Sequence, residues 1–251
     1  MSDSGTFNER ASAAISLGRH DEAASFASQA IAQEPDNPEG HIMLGWSLLN
    51  TDSKTALESA QRAVALGPDN PRAFDVAARA ARKAGKRTEA IDYATRYREL
   101  LPNSARANRR YGETLQACGK HKQRHEALAS VEEAINLDPN DAVNWNALGD
   151  IQARSFNDKK AAQESFEKAL ELDPNNAFAK TELAYVIESS GDKGTALSLV
   201  QSVIRLDPTD QFARKQLDDI VIRFMSDLLW ATMIIGLITW FVLQVVFGGS
   251  T

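Results

Sequence analysis

The chain has 251 residues, 43% hydrophobic and 25% charged, with a net charge of −6, which is a globular composition. Alanine-rich text with only 14 glycines and 8 prolines favours helices over strands. The single cysteine, Cys118, excludes an internal disulfide and fits a reducing compartment.

At the N-terminus, residues 1–10 carry Asp3 and Glu9 and have neither a basic start nor an apolar run. No secretory signal is expected there, and the bulk of the chain is expected to stay on the side where it is made. A phrase then recurs along the chain: Glu34-Pro35-Asp36-Asn37, Gly67-Pro68-Asp69-Asn70, Leu101-Pro102-Asn103-Ser104, Asp138-Pro139-Asn140-Asp141, Asp173-Pro174-Asn175-Asn176 and Asp207-Pro208-Thr209-Asp210. Its prolines are spaced by 33, 34, 37, 35 and 34 residues. A period near 34 with a proline at the end of each unit predicts two antiparallel helices per repeat. The six units run over 4–37, 38–70, 71–104, 105–141, 142–176 and 177–210. Gly18, Gly85, Gly119 and Gly191 fall where the paired helices turn, a place that asks for a left-handed residue.

Inside the units, the fifth holds Trp145, Leu148, Gly149, Ala162, Phe166, Ala169 and Pro174, with Gln152 where an aromatic is expected. The second has Leu44, Gly45, Ala56, Ala60, Ala63 and Pro68; the fourth has Tyr111, Gly112, Ala127, Ala134 and Pro139; the first has Ala23, Ala30 and Pro35. The third and sixth keep Ala90 and Ala196 where the second helix crosses the first. On these residues the chain resembles the tetratricopeptide-repeat family over residues 4–210. The resemblance implies an all-α, right-handed solenoid of about six helix-turn-helix repeats whose first helices line a concave groove.

In the family, positions 2, 5, 9, 12 and 13 of each unit face that groove. Carried over, they place Arg72, Asp75, Arg79, Arg82 and Lys83 of the third unit and Arg106, Arg109, Glu113, Gln116 and Ala117 of the fourth on its lining. Between residues 72 and 124 there are 14 basic residues against 5 acidic ones, in a chain that is acidic overall. An arginine fork suits a carboxylate, so the expected ligand is a partner protein's acidic segment or terminal carboxylate. Trp46 and Tyr185, at position 9 of their units, are candidate apolar anchors. Asn146 resembles one member of the chaperone-binding clamp of the family; the rest of that clamp is not matched.

After the repeats, residues 211–227 are expected to form a capping helix, with Phe212, Leu217, Ile220, Val221, Phe224 and Leu228 as its apolar stripe. Residues 228–247 carry no charge and are apolar but for Thr232, Gly236, Thr239 and Gln244. Twenty helical residues at about 1.5 Å each span a hydrocarbon core of about 30 Å, so one transmembrane helix is expected, followed by a short tail at 248–251. Arg214, Lys215 and Arg223 precede this span and no basic residue follows it, which puts the repeats on the cytoplasmic side of a C-terminal anchor. A bacterial plasma membrane fits this better than an organelle outer membrane.

Catalysis has little support: no phosphate-binding glycine loop, paired carboxylates or Ser/His/Asp set appears, and no cofactor is implied. Cys118, His121 and His125 lack the fourth ligand of a structural zinc site and sit among Lys120, Lys122 and Arg124. Net acidity weighs against nucleic acid as a partner. The expected function is a membrane-anchored scaffold or adaptor for a partner protein. Two alternatives stay open: an accessory subunit held through its transmembrane helix, and a surface that binds anionic lipid.

Overall fold

The computed structural model describes the backbone of residues 3–247, and the side chains of those residues except 3, 227, 228, 231 and 240–247. Among the described residues there are thirteen α-helices, one 3-10 turn at His121–Gln123 and no strand. The helices are α1 (Asp3–Ser16), α2 (His20–Gln33), α3 (Pro38–Leu48), α4 (Ser53–Leu66), α5 (Pro71–Lys83), α6 (Arg87–Leu100), α7 (Ala105–Cys118), α8 (Arg124–Leu137), α9 (Ala142–Ser155), α10 (Lys159–Leu172), α11 (Ala177–Ser189), α12 (Lys193–Leu206) and α13 (Gln211–Phe247). The chain divides after Asn157 into two compact units.

The recurring proline phrase is a loop that also starts the next helix. Its last residue, Asn37, Asn70, Ser104, Asp141 or Asn176, accepts a hydrogen bond from a main-chain N–H in the first turn of α3, α5, α7, α9 or α11. Asp210 does the same for α13 through Phe212 and Ala213. Pro38 and Pro71 occupy the first helical turn, where a missing N–H costs nothing. The loop prolines contribute their carbonyls. Asn108 Nδ2 donates to Pro102 at 2.8 Å, Trp145 Nε1 to Pro139 at 2.9 Å, and His41 Nε2 lies 3.0 Å from the Pro35 oxygen.

Gly18, Gly85 and Gly191 have φ of 71°, 74° and 101°, as the turns between helices require. Gly119 departs from this expectation, with φ −68° and ψ 167°. Glycine is needed there for a different reason: a Cβ would lie 2.4 Å from the Leu115 carbonyl oxygen.

In the first unit, alanines let the helices approach closely. Ala56, Ala60 and Ala63 of α4 and Ala127 and Ala134 of α8 are fully buried. Ile42, Met43, Val76 and Ala77 fill one cluster, and Tyr111, Leu115, Val131, Leu148 and Ile151 another. Gly112 sits at the tightest crossing, where a Cβ would come within 2.6 Å of Val131 Cγ2 and 2.8 Å of the Ala127 oxygen. Gly112→Ala is expected to lower stability by about 1–3 kcal/mol, as overpacking does, read as a fall in the urea midpoint. An unchanged midpoint would show that α7 and α8 part freely.

In the second unit, Phe166 is fully buried and meets the edge of Phe178, with ring centroids 6.4 Å apart. Ala184, Ala196, Val200 and Val203 form a core that α13 closes with Ala213 and Ile220, Leu217 lying partly buried beside them. Gln216 Nε2 donates to the Thr181 oxygen at 2.8 Å. The stripe expected for this helix is corrected in part: Phe212, Val221 and Phe224 are 60%, 43% and 55% exposed, and Ala213 takes the buried place. Spacing explains this, since 213, 217 and 220 share one face with their neighbours α11 and α12. Arg223 lies 3.3 Å from Glu188, next to the end of α11, and beyond it the described side chains of α13 are exposed.

The crossing expected over residues 228–247 falls partly on side chains outside the described residues. Among the described residues, no helix is long and apolar enough to cross a membrane. The backbone of α13 continues unbroken to Phe247, and Leu229, Trp230, Met233, Ile234, Ile235, Leu237 and Ile238 are all at least 49% exposed.

Candidate binding face

Within the first unit, the odd-numbered helices lie side by side, α1 against α3, α3 against α5, α5 against α7 and α7 against α9. They present one continuous face, and most of the side chains expected to bind a partner fall on it. That face carries charge of both signs.

Asp75 on α5 organises its middle. It is 4% exposed and accepts hydrogen bonds from two arginines of α7, from Arg106 Nη2 at 2.8 Å and from Arg110 Nε at 3.1 Å. Arg110 also donates to Glu113, one helical turn on. Burial disfavours the Arg110 cation, but the Glu113 and Asp75 carboxylates more than offset it and hold its pKa above the ordinary arginine value. Arg109 is 7% exposed and lies 3.8 Å from Glu113 and 3.6 Å from Asp141. These are ion-pair distances without hydrogen-bond geometry, and its Nε and Nη1 are buried with no acceptor. Gln116 Nε2 donates to Asp150 of α9 at 2.7 Å. Arg72 reaches back to Glu39 of α3.

Arg79 is different. Its guanidinium lies over the Trp46 ring, 4.6 Å from the centroid, and its Nε is buried without an acceptor. Burial first, and the Arg110 cation second, push its pKa down to about 10 against the pull of Asp75 and Glu113. It stays protonated at neutral pH, as a cation that folding has placed in an unfavourable setting.

The remaining expected residues divide. Asn146 on α9 is 6% exposed, with its Oδ1 buried and undonated. Tyr185 belongs to α11 of the second unit, where it is 56% exposed. Arg82 and Lys83 sit at the end of α5 and line a recess with Gly85, Arg87, Ala117 and Cys118. In the sequence, Arg106 and Arg109 fall on positions of the groove lining, whereas Arg110 does not. The signal for the pairing with Asp75 was there in the spacing: Arg106 and Arg110 follow Asp75 by 31 and 35 residues, about one repeat.

His125 meets the Phe156 ring edge-on, His121 Nε2 lies 2.9 Å from Arg124, and Cys118 is buried, its thiol pKa pushed up by that burial. Among the described residues, no three His, Cys, Asp or Glu side chains gather as metal ligands would.

Comparison with known proteins agrees with this architecture. The tetratricopeptide-repeat family model matches residues 8–71 and 50–105, and a model described as the CABIN1 N-terminal domain matches residues 109–221. No curated protein matches the chain. Among solved structures, the Cut9–Hcn1 hetero-tetramer of the APC/C is similar over 86% of this chain at 16% identity, with a TM-score of 0.70. The chain spans only 42% of that protein's length. pilF of Pseudomonas aeruginosa is similar over 86% of this chain and 97% of its own, at 16% identity and a TM-score of 0.61. MamA from Desulfovibrio magneticus RS-1 is similar over 70% of this chain and 98% of its own, at 21% identity and a TM-score of 0.55. These likenesses are of fold.

Proposed function

We propose that this all-α chain, whose residues 8–105 match the tetratricopeptide-repeat family model, is a protein-binding scaffold whose odd-helix face takes an acidic segment of a partner protein. The observation that carries the reading is Arg79, a desolvated cation seated on Trp46 with an Nε that lacks an acceptor. A carboxylate docked on the exposed side of that guanidinium adds an opposite charge to a desolvated cation and offsets its repulsion by Arg110. Arg109, whose Nε and Nη1 also lack acceptors, is a second cation on the next odd-numbered helix of the face, and Asn146 Oδ1, an acceptor without a donor, suits a main-chain N–H of the same segment rather than its carboxylates. Arg72 and Arg106 are already paired to Glu39 and Asp75 and serve to orient the face.

The second part of the reading is a tether. The exposed side chains of Leu229, Trp230, Met233, Ile234, Ile235, Leu237 and Ile238, and the uncharged text on to residue 247, anchor the chain in a bilayer. The basic residues Arg214, Lys215 and Arg223 on the N-terminal side keep the repeats cytoplasmic.

The test is fluorescence anisotropy of the full chain in detergent with two peptides of equal length, one rich in glutamate and one with glutamine in its place. Saturable binding of the acidic peptide alone, weakening with salt, is the expected result. Equal binding of both, or of neither, would set the reading aside.

A further inference from the structure

Residues 82–87 read Arg-Lys-Ala-Gly-Lys-Arg, four cations in six residues around the left-handed Gly85. The next such turn, after α7, carries Lys120, Lys122 and Arg124. Arg87 ties the two together. Its Nε donates to the Cys118 oxygen at 3.1 Å and its Nη2 to the Ala117 oxygen at 3.4 Å, both carbonyls at the end of α7. Its guanidinium is thereby held at the rim of a recess of about 450 Å³ lined by Arg82, Lys83, Gly85, Arg87, Ala117 and Cys118. In contrast with Arg106, Arg109 and Arg110, the side chains of Arg82, Lys83, Lys86, Arg87, Lys120 and Lys122 make no ion pair among the described residues.

We infer that this turn edge of the first unit is a docking surface for anionic lipid, the recess between the α5–α6 turn and the end of α7 taking a headgroup phosphate. Three cations without ion-pair partners, Arg82, Lys83 and Arg87, line the recess and match a phosphate oxyanion in charge. A protein ligand is disfavoured because no large apolar side chain is exposed within residues 82–88 or 117–124 to anchor one. A polybasic edge without an apolar anchor fits the surface of a charged leaflet. The inference rests on the proposed tether, which keeps a bilayer within reach, and is separate from the acidic-segment face.

The experiment uses the full chain with Thr88→Cys, an exposed position beside the recess, labelled with a fluorophore; the native Cys118 is buried. The protein is reconstituted into phosphatidylcholine vesicles, with or without phosphatidylserine, that contain a headgroup-attached quencher. Flotation with the neutral vesicles reads the tether alone. Quenching only in the phosphatidylserine vesicles, reversed by salt, is expected. Replacing Arg82 and Lys83, which line the recess, and Lys120 beside it by glutamine should reduce the docked-to-undocked ratio roughly fivefold for each cation removed. Three results would overturn the inference: equal quenching in both vesicle types, quenching that the glutamine variant leaves unchanged, or release by inorganic phosphate at low concentration, which would mark a site for soluble phosphate. If the chain fails to float with neutral vesicles, the tether falls; co-flotation with phosphatidylserine vesicles then reads the basic edge directly.

Discussion

Asp75→Ala is expected to cost about 3–5 kcal/mol of stability, the range for removing one partner of a buried ion pair. Asp75 is 4% exposed and Arg110 is 9% exposed, so the substitution strands a guanidinium that water reaches poorly. Glu113 remains beside Arg110 and Arg106 is 56% exposed, so most of the loss comes from Arg110. Asp75→Leu combined with Arg110→Met, which removes both charges and keeps the volume, is expected to recover most of that stability. The check is a double-mutant cycle in urea. Additive effects, or a single-mutant loss under about 1 kcal/mol, would show that Asp75 is not what holds α5 to α7.

Arg79→Glu is expected to lower affinity for the acidic peptide by about a hundredfold or more. The change removes a donor, and it also places a carboxylate near Asp75 and Glu113, where a second negative ligand is repelled. Charges about 4 Å apart at a protein surface interact by up to about 4 kcal/mol, enough for such a loss. Arg79→Gln separates binding from folding. A cation whose pKa is lowered by folding, here to about 10, costs stability while it stays protonated, at every pH below that value. Neutralising Arg79 should therefore leave stability unchanged or raised while the peptide binds about tenfold more weakly. A fall in both together would make Arg79 a structural residue. Stability given up at one partly buried cation is a familiar mark of a site kept for function.

The fold was legible because its signals are local. The proline phrase contains both the loop and the cap of the next helix, so Asn37, Asn70 and Asp141 announce α3, α5 and α9. Alanine and glycine at the crossings, such as Ala127 and Gly112, are required by contacts within one repeat. What escaped were contacts between repeats. Asp75 meets arginines one repeat later, and its pairing with Arg106 and Arg110 neutralises part of what read as a free basic stripe. His41, which no motif singles out, lies 3.0 Å from the Pro35 oxygen, in the place where Trp145 bonds Pro139. Gly119 read like the other turn glycines, and only the close approach of the Leu115 oxygen reveals its different role. On α13, periodicity alone favoured the large residues Phe212 and Phe224, while packing against α11 and α12 selects the small Ala213.

The central claim is that a partner protein lies on the odd-helix face. The direct measurement places a photo-crosslinking amino acid at Arg72 on α5 or at Glu58 on α4, both exposed, in the full chain in its native cells. The account predicts a discrete protein adduct from position 72, none from position 58, and loss of the adduct when Arg79→Glu is added. An adduct from position 58 of equal yield, or one from position 72 that survives Arg79→Glu, would contradict it.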